Sequence, residues 1–385
     1  YIAEMVGWSA AAATLTTLLM GALSDRVGKR KIFICGGYIL WGLSTAAFGL
    51  ITVDNAARLF PAQAVAAAAI MVVILDCVMT FFGSTANDAA FNAYITDSID
   101  PGNRGRTESV LAVLPLLSML IIFGAFDGMT QRGEWQKFFA IFGGLVTLTG
   151  IISIFLIKEP ELKPGNEPYF KNLVYGLRPE VMRENPALYL SFAAFCVFSV
   201  AVQVFFPYLI IYIQNYLKID GYAIVLGVVL ITASVVSVAS GRIIDRVGKL
   251  RFVLPAALVM FCGLVGMYFA RTMAAVIIAG CVMMSGYMLV TAVLSGVIRD
   301  NTPEGKAGHF QGIRMIFGVM LPMIIGPAIG AAVIRGSDST YVDLGVVKTV
   351  PTPGIFLAAA AALLLILPPV MMLRKRSEAK EDKYV

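Results

Sequence analysis

GALSDRVGKRK at residues 21–31 and GRIIDRVGKLR at residues 241–251 are two copies of one phrase. Gly21 and Gly241, Asp25 and Asp245, Arg26 and Arg246, Gly28 and Gly248, and Lys29 and Lys249 correspond at a constant offset of 220 residues. A fainter echo links ITDSIDPGNRGR at 95–106 with IRDNTPEGKAGH at 298–309, and Pro115 and Pro322 follow at similar depths in the next stretches. Each copy of the first phrase closes one long apolar stretch and opens another. Duplication at this scale is the sequence mark of a membrane protein assembled from two half-bundles.

Composition agrees. The mean hydropathy is +0.82, and 58% of the 385 residues are hydrophobic against 14% charged, far below the charge a soluble surface carries. The net charge of +6 is spread between apolar stretches instead of clustering on a solvated domain, so no nucleic-acid partner is expected. Cys35, Cys77, Cys196, Cys262 and Cys281 all fall in apolar segments without paired spacing, and His309 is the sole histidine. Neither disulfides, a metal site nor a cofactor is indicated. Sequence signatures of a catalytic constellation or a nucleotide-binding loop are likewise lacking, which argues against an enzyme or a primary pump.

A hydrocarbon layer about 30 Å thick needs about 20 apolar residues per helix. Eleven stretches qualify: 4–24, 32–52, 66–95, 109–130, 137–157, 187–215, 222–241, 252–270, 273–298, 312–334 and 354–373. With loops assigned alternately to two sides, one side holds Arg58, Arg132, Lys137, Lys218, Arg271, Arg335 and Lys348, and the other holds the remaining 23 of 30 basic residues. The richer side is expected in the cytoplasm, together with the C-terminus. The expected organisation is an all-α polytopic protein: bundle 1–157, cytoplasmic linker 158–185, bundle 186–373 and a cytoplasmic tail 374–385, disordered from Ser377. The linker carries Pro160, Pro164, Pro168 and Pro179. Fifty-five residues, Pro186 to Ser240, precede the second phrase and 20 precede the first. That deficit of about 35 residues, a helix and a loop, predicts that a first span precedes this sequence.

The phrase at 21–31 resembles the signature between the second and third spans of the major facilitator superfamily, and its partial copy sits where that family has it. The resemblance implies two six-helix bundles, a central cavity and rocker-switch alternating access in a monomeric plasma-membrane carrier of small solutes. NDAAFNAYITD at 87–97 is similar to a pattern of the glycoside-pentoside-hexuronide:cation symporters, the melibiose permease group. That likeness implies sugar or glycoside symport with a cation. The first stretch has no acidic residue between Glu4 and Asp25, where that group holds its sodium site, so the expected coupling ion is H+ before Na+. A proton-coupled exporter of drugs or amphipathic metabolites is the alternative.

A carboxylate inside a span costs about 2.5–3.5 kcal/mol on insertion scales and marks function. Asp76 and Asp88 both lie in the third stretch. At 100° per residue Asp76, Thr80, Ser84 and Asn87 share one face, with Asp88 on its margin. Asp88 and Asp76, with Asn87 and Asn92, are the expected proton or hydroxyl ligands, the alternative being a packing ion pair. Ser285, Tyr287 and Thr291 are expected on the cavity wall, or in ordinary helix packing. Gln203, Tyr208 and Tyr212 around Pro207, joined by Gln214 and Asn215, suit a sugar ring. Membrane-interface tyrosines are the competing reading. Glu4 and Asp127 are expected at the outer rim. Gly21, Asp25, Arg26, Gly28, Lys29, Arg30, Asp245, Arg246, Gly248 and Lys249, with Arg104, Gln311 and Arg314, are expected to gate. In that scheme Asp25 pairs with Arg104 or Arg106 and with a helix N-terminus.

Overall fold

The computed structural model describes residues 2–160, 175–219, 221–337, 339–343 and 346–381. The side chains of Glu4 and Asp127, and residues 161–174 of the expected linker, lie outside that description.

Among the described residues eleven long helical stretches follow one another: α1 (Ile2–Val27), then α2 (Lys31–Leu50), α3 (Pro61–Ser98), α4 (Pro101–Phe126), α5 (Trp135–Leu156), α6 (Pro186–Tyr216), α7 (Tyr222–Val247), α8 (Lys249–Phe269), α9 (Met273–Asn301), α10 (Ala307–Ile334) and α11 (Gly354–Ala379). Among the described residues α2 to α11 are long and apolar enough to cross a membrane. Helices satisfy their own backbone groups, which is what hydrocarbon demands. Two departures from the sequence reading concern connections. Thr340–Asp343 and Val346–Thr349 pair as an antiparallel hairpin with Thr340 opposite Thr349, and the last helix continues through the charged tail to Glu381.

The chain divides into two compact units. The first comprises Tyr1–Ile99, Ile121–Glu184 and Thr302–Ile316; the second comprises Asp100–Leu120, Asn185–Asn301 and Phe317–Val385. Each unit is therefore built mainly from one sequence repeat and takes one segment from the other.

Within the first unit, α2 and α5 approach through glycine. A Cβ on Gly143 would lie 2.6 Å from the Gly42 carbonyl oxygen, and one on Gly150 would lie 2.7 Å from Ile39 N. The second unit repeats the device where Gly263 and Gly286 bring α8 and α9 together at Met283 and Met260. Lipid tails are as apolar as the side chains, so helix association here rests on such close contact. Small residues at these crossings are accordingly fold determinants. The core of the second unit is closed by Phe198, Phe205, Met260, Leu264, Met288 and Phe356, all buried.

Candidate functional site

The repeated phrase ends its helix in the same way twice. Gly28 (φ +69°) and Gly248 (φ +97°) adopt positive φ, and their N–H groups donate to Ser24 O and Ile244 O at 3.0 Å each. Glycine takes this conformation without the steric penalty other residues meet, which explains its place in both copies.

That turn positions an aspartate toward another helix's N-terminus. In the first unit Asp25 accepts backbone N–H bonds from Gly308 (3.0 Å) and His309 (2.8 Å), the second and third residues of the helix Ala307–Met315. In the second unit Asp245 accepts from Gly105 (2.8 Å) and Arg106 (2.9 Å), the second and third residues of the helix Arg104–Ile121. Those N–H groups have no partner inside their own helix and carry the positive end of its dipole, so a carboxylate is their natural acceptor. The equivalence is complete: Gly105 and Gly308, and Arg106 and His309, are matched pairs in the weaker echo. Gly21 faces Gly308 so closely that a Cβ on either would collide with the other's carbonyl oxygen.

The counter-ion of Asp25 corrects the sequence reading. Arg30, fully buried, contacts Ser24 and Asp25 and donates through Nε and Nη2 to Asp97 Oδ2 at 3.0 and 2.9 Å. Arg104 instead pairs with Asp300 at 2.9 Å. The His309 ring also meets Asp25. Burial pushes the Asp25 carboxyl up, but the His309 hydrogen bond and the Arg30 charge outweigh it and hold the group below the ordinary carboxylate range. Glu159 accepts from the backbone N–H of Arg30 and Lys31 at the start of α2. In the second copy Leu250 stands where the first has Arg30. There Lys249 bridges Asp300 (2.9 Å) and Pro101 O (2.7 Å). Arg26, Lys29 and Arg246 are exposed.

Sequence reasoning also missed a buried ion pair. Glu108 and Arg299 are both buried and meet in the second unit. Glu108 corresponds to Gln311 in the echo, so an acid one turn inside a helix, with no acidic counterpart in the other copy, was the available signal.

The carboxylate inside the third span sits in a polar network. Residues Ser84–Phe91 form a π-helical segment in α3, a departure found often at functional sites. It re-registers the polar face. Ser84 Oγ donates to Asp88 Oδ2 (2.9 Å) and Asn87 Nδ2 to Asp88 Oδ1 (3.0 Å). Tyr38 Oη donates to Asn87 Oδ1 (3.2 Å), and Asn92 Nδ2 donates to Asn87 O (3.0 Å). The charge of Arg314, in the same unit, also acts on Asp88. Gly37 lets α2 press onto Ala86, where a Cβ would lie 2.8 Å away. Asp88 is half-buried and lies inside the apolar stretch 66–95, seven residues, about 10 Å, from its end.

Asp76 does not join this network. It lies twelve residues, about 18 Å, along α3 from Asp88. There it lines a separate cleft of about 830 Å³ with Phe48, Thr52, Glu134, Trp135 and Lys137.

In the second unit Gln203 and Tyr208 face α10 through Gly326 and Gly330. Tyr208 Oη donates to Pro327 O at 3.1 Å, and half-buried Tyr287 stacks on Phe198 with centroids 5.8 Å apart. Tyr212 is fully buried between Tyr216 and Phe356, with centroids 5.1 Å from each. It packs the core and presents no surface to a solute, contrary to its expected ligand role.

Two related sets of membrane-length helices, duplicated end latches and a hydrogen-bonded carboxylate inside a span define a polytopic transporter, not an enzyme. The chain belongs to the Major Facilitator Superfamily, whose profile matches residues 2–327. A multidrug transporter, QDR2, of Candida glabrata is 26% identical over 198 residues, 48% of this chain and 33% of that protein. The match thus spans about a third of the relative's length. The human organic anion transporter MFSD10 (TETRAN) superimposes with a TM-score of 0.69 at 16% identity, covering 95% of this chain and 83% of that one. A bacterial homologue of the iron transporter ferroportin, in an outward-facing state, gives 0.68 at 12% identity, covering 97% and 91%. Both share the fold.

Proposed function

We propose that the chain is a proton-coupled secondary transporter of small amphipathic organic solutes, acting as an exporter at the cell membrane with its C-terminus in the cytoplasm. The observation that carries the coupling is the Asp88 network. Both carboxylate oxygens accept hydrogen bonds inside the span, from Ser84 and Asn87, and an intramembrane acid that is held but half-buried is suited to bind and release a proton once per cycle. The missing acid between Glu4 and Asp25 favours H+ over Na+. The likeness to a multidrug transporter supports export, and sugar uptake loses support because Tyr212 is enclosed and the Tyr208 hydroxyl is spent on Pro327 O.

Sugar or glycoside symport stands as the second reading, on the likeness of residues 87–97 to the melibiose permease group and on the half-buried pair Gln203 and Tyr287. In either case the latches at Asp25 and Asp245 bias the alternation between two states, which needs only a few kcal/mol. Proteoliposomes separate the readings. Under a pH gradient, labelled amphipathic cations and anions move against the proton flow if the first is right. Labelled glycosides accumulate with the proton if the second is right.

A further inference from the structure

We propose that a basic cleft at the end of α11 binds a phosphate anion carried by a membrane glycerophospholipid. The cleft, of about 850 Å³, lies wholly within the second unit, between the Asp245–Arg251 turn, the end of α9 and the end of α11. Four basic side chains line it, Lys249, Arg251, Arg374 and Arg376, with the acids Asp245, Asp300 and Glu378. Most of the acid is already engaged. Asp245 holds the N–H groups of Gly105 and Arg106, and Asp300 holds Arg104 and Lys249. That leaves three lining arginines, Arg251, Arg374 and Arg376, against one carboxylate, Glu378, an excess of positive charge.

The geometry of Arg374 supplies the second observation. Its Nη2 donates to Arg251 O at 2.9 Å, which orients the guanidinium plane. Its Nε is buried and has no hydrogen-bond partner among the described residues. A buried guanidinium N–H without an acceptor is costly, and a phosphate oxygen is the acceptor its fork matches best. Basic pockets between helix ends bind anionic lipid headgroups by this chemistry. The choice of a lipid follows from the approach to the cleft. Leu367, Met371 and Met372, immediately before Arg374 on the same helix, are exposed apolar residues that acyl chains can cover. Because Asp245 and Lys249 line the same cleft, its occupant also bears on the second latch.

The test is native mass spectrometry of the purified full chain with dioleoylphosphatidylglycerol or dioleoylphosphatidylcholine. Both lipids carry the phosphate, but only the first is a net anion. The expected result is about tenfold preferential retention of phosphatidylglycerol, reduced toward the phosphatidylcholine level in Arg374→Gln and in Arg376→Gln. Arg376 is exposed, so its variant decides the matter if Arg374→Gln does not fold. Glycerol 3-phosphate distinguishes the source. Failure to displace the lipid confirms a lipid ligand, and displacement assigns the cleft's phosphate chemistry to a soluble compound and overturns the lipid. Equal retention of the two lipids by the unaltered chain, or retention unchanged in the variants, overturns the site altogether.

Discussion

Replacing Asp25 by Asn removes the charge from an acceptor used by two backbone donors, a histidine ring and a buried arginine. The Gly308 and His309 N–H bonds, at 3.0 and 2.8 Å, are charge-assisted, each contributing about 1.5–3 kcal/mol. Asn keeps one neutral acceptor oxygen, so about half of that is retained. Arg30 stays buried but keeps its bonds to Asp97, which limits a loss that would otherwise reach about 3–5 kcal/mol for a broken buried pair. The net weakening is about 3 kcal/mol, or roughly a hundredfold in local opening. Asp245→Asn touches two N–H bonds but no buried arginine. Its cost is about 1–2 kcal/mol, close to tenfold. Hydrogen–deuterium exchange reads the bonded amides directly. Peptides covering Gly308 and His309 should exchange about a hundredfold faster in Asp25→Asn with Gly105 and Arg106 unchanged, and Asp245→Asn should give the reverse pattern about tenfold. Unaltered exchange at 308–309 in Asp25→Asn would refute the latch.

Other consequences follow from the same contacts. Because the Asp25 carboxyl is held below the ordinary range, its contribution is complete above the unfolded value of about 3.9 and is lost as pH falls through the lower folded value. Exchange protection at Gly308 should therefore persist on acidification to about pH 4 and disappear only below it. Arg299→Gln leaves Glu108 buried without its cation and should destabilise the purified protein by about 3–5 kcal/mol. Thermal melting would show this, and the double variant with Glu108→Gln should recover most of the loss. Gly308→Ala drives a Cβ into the Gly21 carbonyl and should cost about 1–3 kcal/mol, seen as a lowered melting temperature, whereas Gly36→Ala, with open space around it, should leave melting nearly unchanged.

The gating apparatus was largely legible because it is duplicated. A turn glycine, an aspartate three residues before it and a basic residue after it recur at one offset, and a helix N-terminus is what such an aspartate can serve. Its counter-ion was not legible. Arg104 and Arg106 stood as remote candidates, while Arg30, five residues on, takes the carboxylate because the Gly28 turn folds the chain back onto Asp25. The site in α3 was half legible. Asp88 was identifiable as an acid in an apolar run, but equal rotation per residue grouped it with Asp76, and neither the π segment nor the excess length of a 38-residue helix can be counted from hydropathy. Tyr212 was misjudged because an aromatic next to amides reads alike whether it lines a cavity or meets Phe356 in the core. The charged tail suggested disorder, yet its Ala, Lys, Arg and Glu are strong helix formers, and α11 carries on through them to Glu381.

The central claim is that Asp88 carries the coupling proton, and Asp88→Asn in sealed proteoliposomes tests it most directly. The variant keeps hydrogen-bonding capacity toward Ser84 and Asn87 but cannot exchange a proton. The account predicts that it loses pH-gradient-driven transport while retaining counterflow exchange of labelled solute. Undiminished gradient-driven transport by the variant would contradict it.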